Sequence, residues 1–496
     1  MLSRFLSGFR EFGWVIMIVL LPITSMPIVR DLIGAGTTVA APSSIILLIL
    51  ICTWFIPYII KGGRIPVQSV PLIGFVFVCI ISTLLSVFLV IPPYKDICIQ
   101  CNNFEGFITL GIGCSFFIIG MLYPGNQKGI IKCVKLLNWS GAVMLVWAIL
   151  QAFLWYSYQR YPEWVKIIHG IYSVGALYRQ RVSGFALEPS WFAHQLNMLY
   201  IPLWLAFTVR NETVHKNRLA GITIENILLI GGLTTLGLTL SRVGFLAIIL
   251  MGTYLLLKVV VKLHKWLMGK LLQHRGLRLI MGKGKSTARA FKMILVLMIA
   301  CVYAGIISGI FYGVSKADPR MAKMFQMDFK RPDAFMYYAN ELTFSSRVVY
   351  WEAGWNIFGD YPWLGVGLGN AGYFMPEKLS SYSMKLIEIR DLLYRSDFLL
   401  NIKALWVRLL AETGFIGFSF FVCWLFVLWR SARWLEKRSE SLIGTFGLFG
   451  QLVLLGLIVE GFSIDSFALP YFWFSMGIFM AGFGLTNNLS DLKKVA

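Results

Sequence analysis

Apolar runs of about twenty residues recur from one end of this 496-residue chain to the other, and nothing else restricts its fold as sharply. "SSIILLILICTWFIPYII", residues 43–60, carries no charge at all. A helix crosses a bilayer because its backbone N–H and C=O groups satisfy one another inside the segment. The runs are continuous rather than alternating, which argues against a β-barrel. Composition agrees: 57% of residues are hydrophobic, 14% are charged, and the mean hydropathy is +0.71. A soluble chain would carry about a quarter charged residues. The expected class is all-α, a polytopic membrane protein.

Twelve spans are predicted, at about 11–29, 43–60, 70–91, 104–123, 134–157, 190–209, 222–240, 242–262, 292–314, 404–430, 442–461 and 466–487. Arg4 and Arg10 precede the first run with no small-residue cleavage site after it, so it reads as an uncleaved helix. Lys61 and Arg64, Lys128 to Lys135, Arg210 to Arg218, and Arg430 to Arg438 then fall on one side, as do Lys493 and Lys494. That side is cytoplasmic by the positive-inside rule. The ten Lys and Arg residues from Lys258 to Lys292, with no acid among them, join it as a basic loop over 262–292. Each such charge gains roughly 1 kcal/mol beside an anionic leaflet, so the net +21 reads as membrane topology, not nucleic-acid binding.

The domain plan follows. Residues 1–314 hold nine spans, 315–403 form an extracytoplasmic loop that caps the site, and 404–496 hold the last three spans. The loop carries eleven basic and ten acidic residues and is punctuated by Pro319, Pro332, Pro362 and Pro376. Its 377–400 segment has helical spacing of Leu and Ile, so a folded, partly helical cap is expected. No internal repeat is evident. Cys98 and Cys101 form the one CxxC, with no second pair or neighbouring His, which points to a local disulfide or free thiols rather than zinc.

Charges gather where the outer ends of the spans are expected. "RVSGFALEPSWFAHQLN" puts Arg181 and Glu188 before Pro189, with Arg179 just upstream and His194 one turn deeper. Pro189 suits a first helical turn and Glu188 the positive end of the helix dipole. "LTLSRVG" sets Arg242 in a turn between two runs, and "FSSRVVYWEAGW" supplies Arg347. "WVRLLAETG" holds Arg408 and Glu412 beside Trp406, and "EGFSIDSF" holds Glu460 and Asp465. A charge near the bilayer centre costs about 2.5–3.5 kcal/mol, so such residues face a polar cavity or each other. Guanidinium groups lining an outer cavity suit a lipid-linked phosphate or pyrophosphate. Trp191, Trp351, Trp355, Trp363 and Trp406 could stack on sugar rings or anchor at the interface.

Two look-alikes carry no function. "MGKGKST" (281–287) ends like a P-loop, but the first glycine of that pattern falls at Leu279. "GVGLG" (365–369) reads as a tight turn rather than a dinucleotide loop.

Three motifs in order resemble the O-antigen ligase and Wzy-type O-antigen polymerase superfamily. They are "RVSGFALEPSWFAHQLN", "LTLSRVGFLA", and "SRVVYWEAGWNIFGDYPWLGVGLGNAGY" followed by "LLAETGFIGF", spread over about 178–430. The resemblance implies a membrane glycosyltransferase of GT-C architecture in a bacterial cytoplasmic membrane, with its site facing the exterior. It implies a glycan on undecaprenyl pyrophosphate as donor and a chain-length regulator protein as a further partner. Arg181 and Arg242 match the family arginines that engage the pyrophosphate. Ligases carry His-Asn shortly before the "AETG" helix, where this chain has Lys403-Ala404, a departure that favours a polymerase.

The expected reaction joins one lipid-linked glycan to the hydroxyl of another, without metal or cofactor. Arg181 and Arg242 would stabilise the departing pyrophosphate, with Glu188 as the base. Arg179, Arg347, Arg408, Glu412, Trp406 and Asp465 would bind substrate. His194 is expected to be a packed side chain. Rival readings are a ligase that differs in acceptor and a flippase for lipid-linked oligosaccharide; a flippase would tend to show related halves and charges at both depths.

Overall fold

Proline placement decides where the first span ends. The computed structural model describes residues 2–33, 39–216, 218, 220–273, 334–341, 344–438 and 441–495, with short helical pieces between 293 and 316. The first helix, Leu2–Val19, stops before Pro22, and a separate short helix, Pro27–Ile33, follows. The expected span over 11–29 is therefore cut: Pro22 and Pro27 lack the N–H groups that would continue the ladder. Most of the basic loop, the "MGKGKST" motif, parts of the ninth expected span and residues 317–333 lie outside the described residues.

Among the described residues, seven helices are long and apolar enough to cross a membrane: Pro42–Ile60, Val67–Phe88, Ile99–Leu122, Gln127–Tyr158, Arg242–Trp266, Leu405–Glu436 and Leu442–Glu460. Each coincides with an expected span. Ile224–Thr239 and Pro470–Leu485 are shorter apolar helices. The expected sixth span is Pro189–Gln195, a π-helical turn Leu196–Tyr200, and Ile201–Arg210 in succession. Among the described residues the only β pairing is at isolated bridges from Ser25 to Ala40 and Ser173. The chain is thus an all-α, multi-pass membrane protein.

Two compact units emerge, Met1–Gly244 with Ser345–Ala496, and Phe245–Phe344. In the second, the Tyr303 hydroxyl bonds the Ile249 carbonyl at 2.7 Å, tying its helices together. The expected cap over 315–403 is divided between them, and its larger part belongs to the first unit. There it forms helices Ser345–Asp360, Ala371–Lys378 and Ile387–Tyr394. The expected helical stretch at 377–400 is shorter than its spacing suggests, with a 3₁₀ turn at Ser381–Lys385 and Leu386 extended between the two pieces.

The core of the first unit rests on small residues that let helices approach closely. A Cβ on Gly477 would strike the Phe117 backbone, and one on Gly113 would strike Trp473. Trp424 and Trp473 stack at 5.4 Å between ring centroids, and Phe117 meets Trp424 edge-on at 5.2 Å. Leu405–Glu436 loses helical backbone at Gly414, where φ is 62°. The 361–369 segment fills that break. Val366 and Gly367 donate to the Ala411 and Glu412 carbonyls at 3.0 Å, and Phe415 donates to Pro362 at 2.8 Å. Gly365, Gly367 and Gly369 all have positive φ, so "GVGLG" is a turn that only glycine permits easily.

Candidate active site

The "RVSG" segment is held by one amide from a neighbouring helix. Gln151 Oε1 accepts the Ser183 and Gly184 N–H groups at 3.2 and 3.0 Å, and its Nε2 donates to the Gly184 carbonyl at 3.3 Å. Gly184 has φ +56°, the left-handed turn that this recognition needs. The Tyr172 hydroxyl also donates to Gly184 O at 3.2 Å, and His169 Nδ1 lies 2.9 Å from that hydroxyl. Burial lowers the His169 pKa, partly opposed by its hydrogen bond to the Gly175 carbonyl.

So pinned, the segment lies along the end of the Ile224–Thr239 helix. Val182 N–H donates to Leu238 O at 3.2 Å, and Arg181 Nε donates to Thr239 O at 2.8 Å. Leu240 then turns through φ 49°, the Ser241 hydroxyl accepts Gly244 N–H at 3.3 Å, and Arg242 opens the next helix. Two arginines sixty-one positions apart thus meet around one turn, Arg181 bonding the carbonyl three residues before Arg242. Both are half-buried.

A second group forms around Asp465. Arg408 pairs with Glu412 at 3.0 Å, one helical turn apart, and bonds the Asp465 carbonyl. Arg347 reaches the Lys403 carbonyl at 3.5 Å. Lys403 Nζ bonds Glu388 at 2.5 Å and sits over the Tyr350 ring. Burial raises the Asp465 pKa, against the pull of Arg408, Lys403 and Arg347, while Glu188 adds to the rise. For Glu388 burial acts upward, but Lys403 outweighs it and the net pKa is lowered. Glu188 joins the two groups: it acts electrostatically on Asp465, and on Tyr178, which also feels Arg181.

His194, Asn197 and Glu460 form a third group. His194 Nε2 and Glu460 Oε2 are 3.4 Å apart, with side chains 1% and 0% exposed. Asn197 Nδ2 bonds Glu460 Oε1 at 2.6 Å and the Gly244 carbonyl at 3.0 Å. Arg347 acts electrostatically on both His194 and Glu460.

Two sets of the expected site residues gather. Arg181 reaches the turn that leads into Arg242, and Arg408, Glu412, Asp465 and Arg347 form the other set. Glu188 sits at the N-cap of Pro189–Gln195 as expected, but its carboxylate turns to Ser190 and does not cap the helix. Arg179 is exposed and joins neither group. Trp406 bonds the Ile458 carbonyl at 3.1 Å and packs on Gly461, a structural contact. Glu412 is buried and held by Arg408. Gln151, Tyr172 and Asn197 were not foreseen. The signal for Gln151 was a lone amide in "VWAILQAFLW". Cys98 and Cys101 are joined in a disulfide, one of the two expected states.

Such an array can hold a dianionic head between arginines with carboxylates at hand for a proton. Residues 227–422 match the family model described as O-antigen ligase, a stretch that includes the Arg242 turn, Arg347, Arg408 and Glu412. No curated protein matches the chain.

Proposed function

We propose that this membrane protein, whose residues 227–422 are of the O-antigen ligase family, is a polymerase of surface glycan. It takes a glycan from undecaprenyl pyrophosphate and adds it to a hydroxyl of a second lipid-linked repeat unit. The reading places the work on the outer face of a bacterial cytoplasmic membrane, in a twelve-span bundle of GT-C type, without metal. A chain-length regulator would be its protein partner.

The acceptor oxygen bonds to the anomeric carbon as the carbon–oxygen bond to pyrophosphate breaks. Pyrophosphate is already a good leaving group, so the main need is to stabilise the charge that builds on it. Arg181 and Arg242 serve that need, and Arg347 and Arg408 are third contacts. Glu188 takes the acceptor proton, with Asp465 beside it; a carboxyl raised by burial accepts a proton more readily than an exposed one.

The observation that carries the reading is the Arg181 bond to Thr239 O, which brings the "RVSG" and Ser-Arg motifs to one turn. Purified protein supplied with lipid-linked repeat units should yield longer glycans. Movement of substrate between leaflets without elongation would favour a flippase and defeat the proposal.

A ligase is the second reading, favoured by the description of the matched family. It differs in acceptor alone. Against it, the position where ligases carry histidine holds Lys403, whose ammonium is engaged by Glu388. Mass spectrometry of the product distinguishes the two.

A further inference from the structure

An open pocket of the cap is lined by none of the residues in the arginine groups. It holds about 520 Å³ between the last turns of Ser345–Asp360 and the end of Ala371–Lys378. Trp355, Asn356, Asp360, Glu377, Lys378 and Ser380 line it. Both helices belong to the first unit. That volume falls within the range of small-molecule sites, about 300–1,000 Å³. Trp355 is 57% exposed, so more than half of a large ring system is open to whatever enters. The Phe358 ring stands beside it at 5.4 Å between centroids. Lys378 Nζ meets Asp360 Oδ2 at 2.5 Å, which ties the two helix ends together and fixes the width between them. A Cβ on Gly359 would meet no atom within 4 Å, so the hollow reaches the helix backbone.

These side chains suit a saccharide. A sugar ring carries hydroxyls that both donate and accept, and it has an apolar C–H face. Asp360, Glu377 and the Asn356 carbonyl accept hydrogen bonds, the Asn356 amide and Lys378 donate them, and the Ser380 hydroxyl does either. The negative face of the Trp355 indole attracts C–H hydrogens. A phosphate fits poorly, because it would meet two carboxylates while the one ammonium in the lining is already paired. A lipid tail fits poorly too, because Trp355 and Leu379 alone are apolar among the lining side chains. Position adds to the chemistry. Arg347, Trp351, Trp355 and Gly359 recur at every fourth residue and form one row along their helix. At 1.5 Å per residue the pocket lies about 12–18 Å along the axis from Arg347. A glycan whose reacting end sits at the arginines can therefore follow this row and enter the pocket several sugars away.

We infer that this pocket is a distal saccharide subsite, which grips the growing glycan on the Trp355 face, away from the reacting sugar. The choice of ligand rests on the glycosyltransferase reading above. No bond is made or broken in the pocket. A chain held there stays on the enzyme while spent and fresh lipid carriers exchange. Its reacting end is then presented at a high effective concentration instead of being drawn afresh from the membrane. The grip thus bears on how long the chains become.

The test uses the full chain and two readouts. The first is calorimetric titration in detergent with surface polysaccharide of the source cells, cut by mild acid to lipid-free oligosaccharides. The second is product length in proteoliposomes supplied with undecaprenyl-pyrophosphate-linked repeat units. Trp355→Ala and Gly359→Tyr should each weaken oligosaccharide binding about tenfold and shift products to shorter chains, with melting temperatures like that of the wild type. Should Trp355→Ala fail to fold, Gly359→Tyr decides alone, because it fills the hollow where no atom stands and keeps every lining side chain. Wild-type affinity or wild-type product length in Gly359→Tyr overturns the subsite and leaves the polymerase reading intact. Wild-type protein that elongates yet binds no free oligosaccharide also overturns it, and gives the pocket to a protein partner. Wild-type protein that binds oligosaccharide at this pocket but makes no glycosidic bond overturns the polymerase reading and keeps the subsite. With neither binding nor bond formation, both fall.

Discussion

Two buried polar groups in this bundle use the same three side-chain types and differ in how completely they are bonded. At one end Asn138 donates to Glu225 at 3.1 Å, lies 3.1 Å from His215 Nε2, and accepts Trp204 Nε1–H at 3.0 Å. Val214 N–H adds a further bond to Glu225, and of the carboxylate only Oε2 is left over. At the site end Asn197, Glu460 and His194 make two bonds from one amide and leave several atoms wanting. The first arrangement is a fastening, because every change in it breaks bonds already made. The second is looser, because several of its polar atoms have no bond to lose. Burial alone does not tell the two groups apart; the tally of unmade bonds does.

Single substitutions should tell the polar groups of the bundle apart. The largest effect is expected from Arg408→Met, which strands Glu412 in the bundle. Removing one partner of a buried pair costs about 3–5 kcal/mol, and thermal unfolding in detergent should show it. Arg242→Ala or Arg181→Ala should leave the fold in place and cut elongation by on the order of 10²–10³, read as chain length of the glycan. Unchanged long chains would remove those arginines from the site. Asn138→Leu should cost about 1–3 kcal/mol by orphaning Trp204 and taking one bond from Glu225, with turnover per folded molecule unchanged. Asn197→Leu should reverse that balance, with a smaller loss of stability and a larger loss of turnover.

The smallest effects are in pH. Glu388 has its pKa lowered by Lys403, so its contribution to stability is present above the unfolded carboxylate range and lost as pH falls through the folded value. The pair is partly exposed, so the change should stay below about 1 kcal/mol and vanish in Lys403→Met. Asp465 has the opposite sign. Its raised pKa favours the fold at low pH, and that advantage fades as pH rises through the folded value. Melting curves of Asp465→Asn across that window should be flatter than those of the wild type.

Much of this was legible in the chain, and the reasons for success and failure are physical. The spans were visible because lipid demands long apolar helices, and Arg181, Glu188 and Arg242 stood out because lipid makes charge costly. Tertiary pairing was not visible. Gln151 lies more than thirty residues before the turn it holds, and Asn197 looks like an ordinary polar residue in a helix until Gly244 and Glu460 arrive beside it. Apolar spacing over 377–400 announced helix but not where the backbone turns, at Leu386. The helix end at Val19 was written in Pro22 and Pro27, and hydropathy averaged across them.

The break at Gly414 has a mechanical consequence. Main-chain bonds from 362–367 stitch that segment to 411–416, on both flanks of the break. Arg347 stands at the head of the helix that runs into this seam, and Arg408 lies a turn and a half before it. Gly354 also sits against Ile402 and Val407. The two guanidinium groups therefore ride on one splinted lever whose fulcrum is Gly414, and any tilt of that lever to admit a bulky substrate would carry both together.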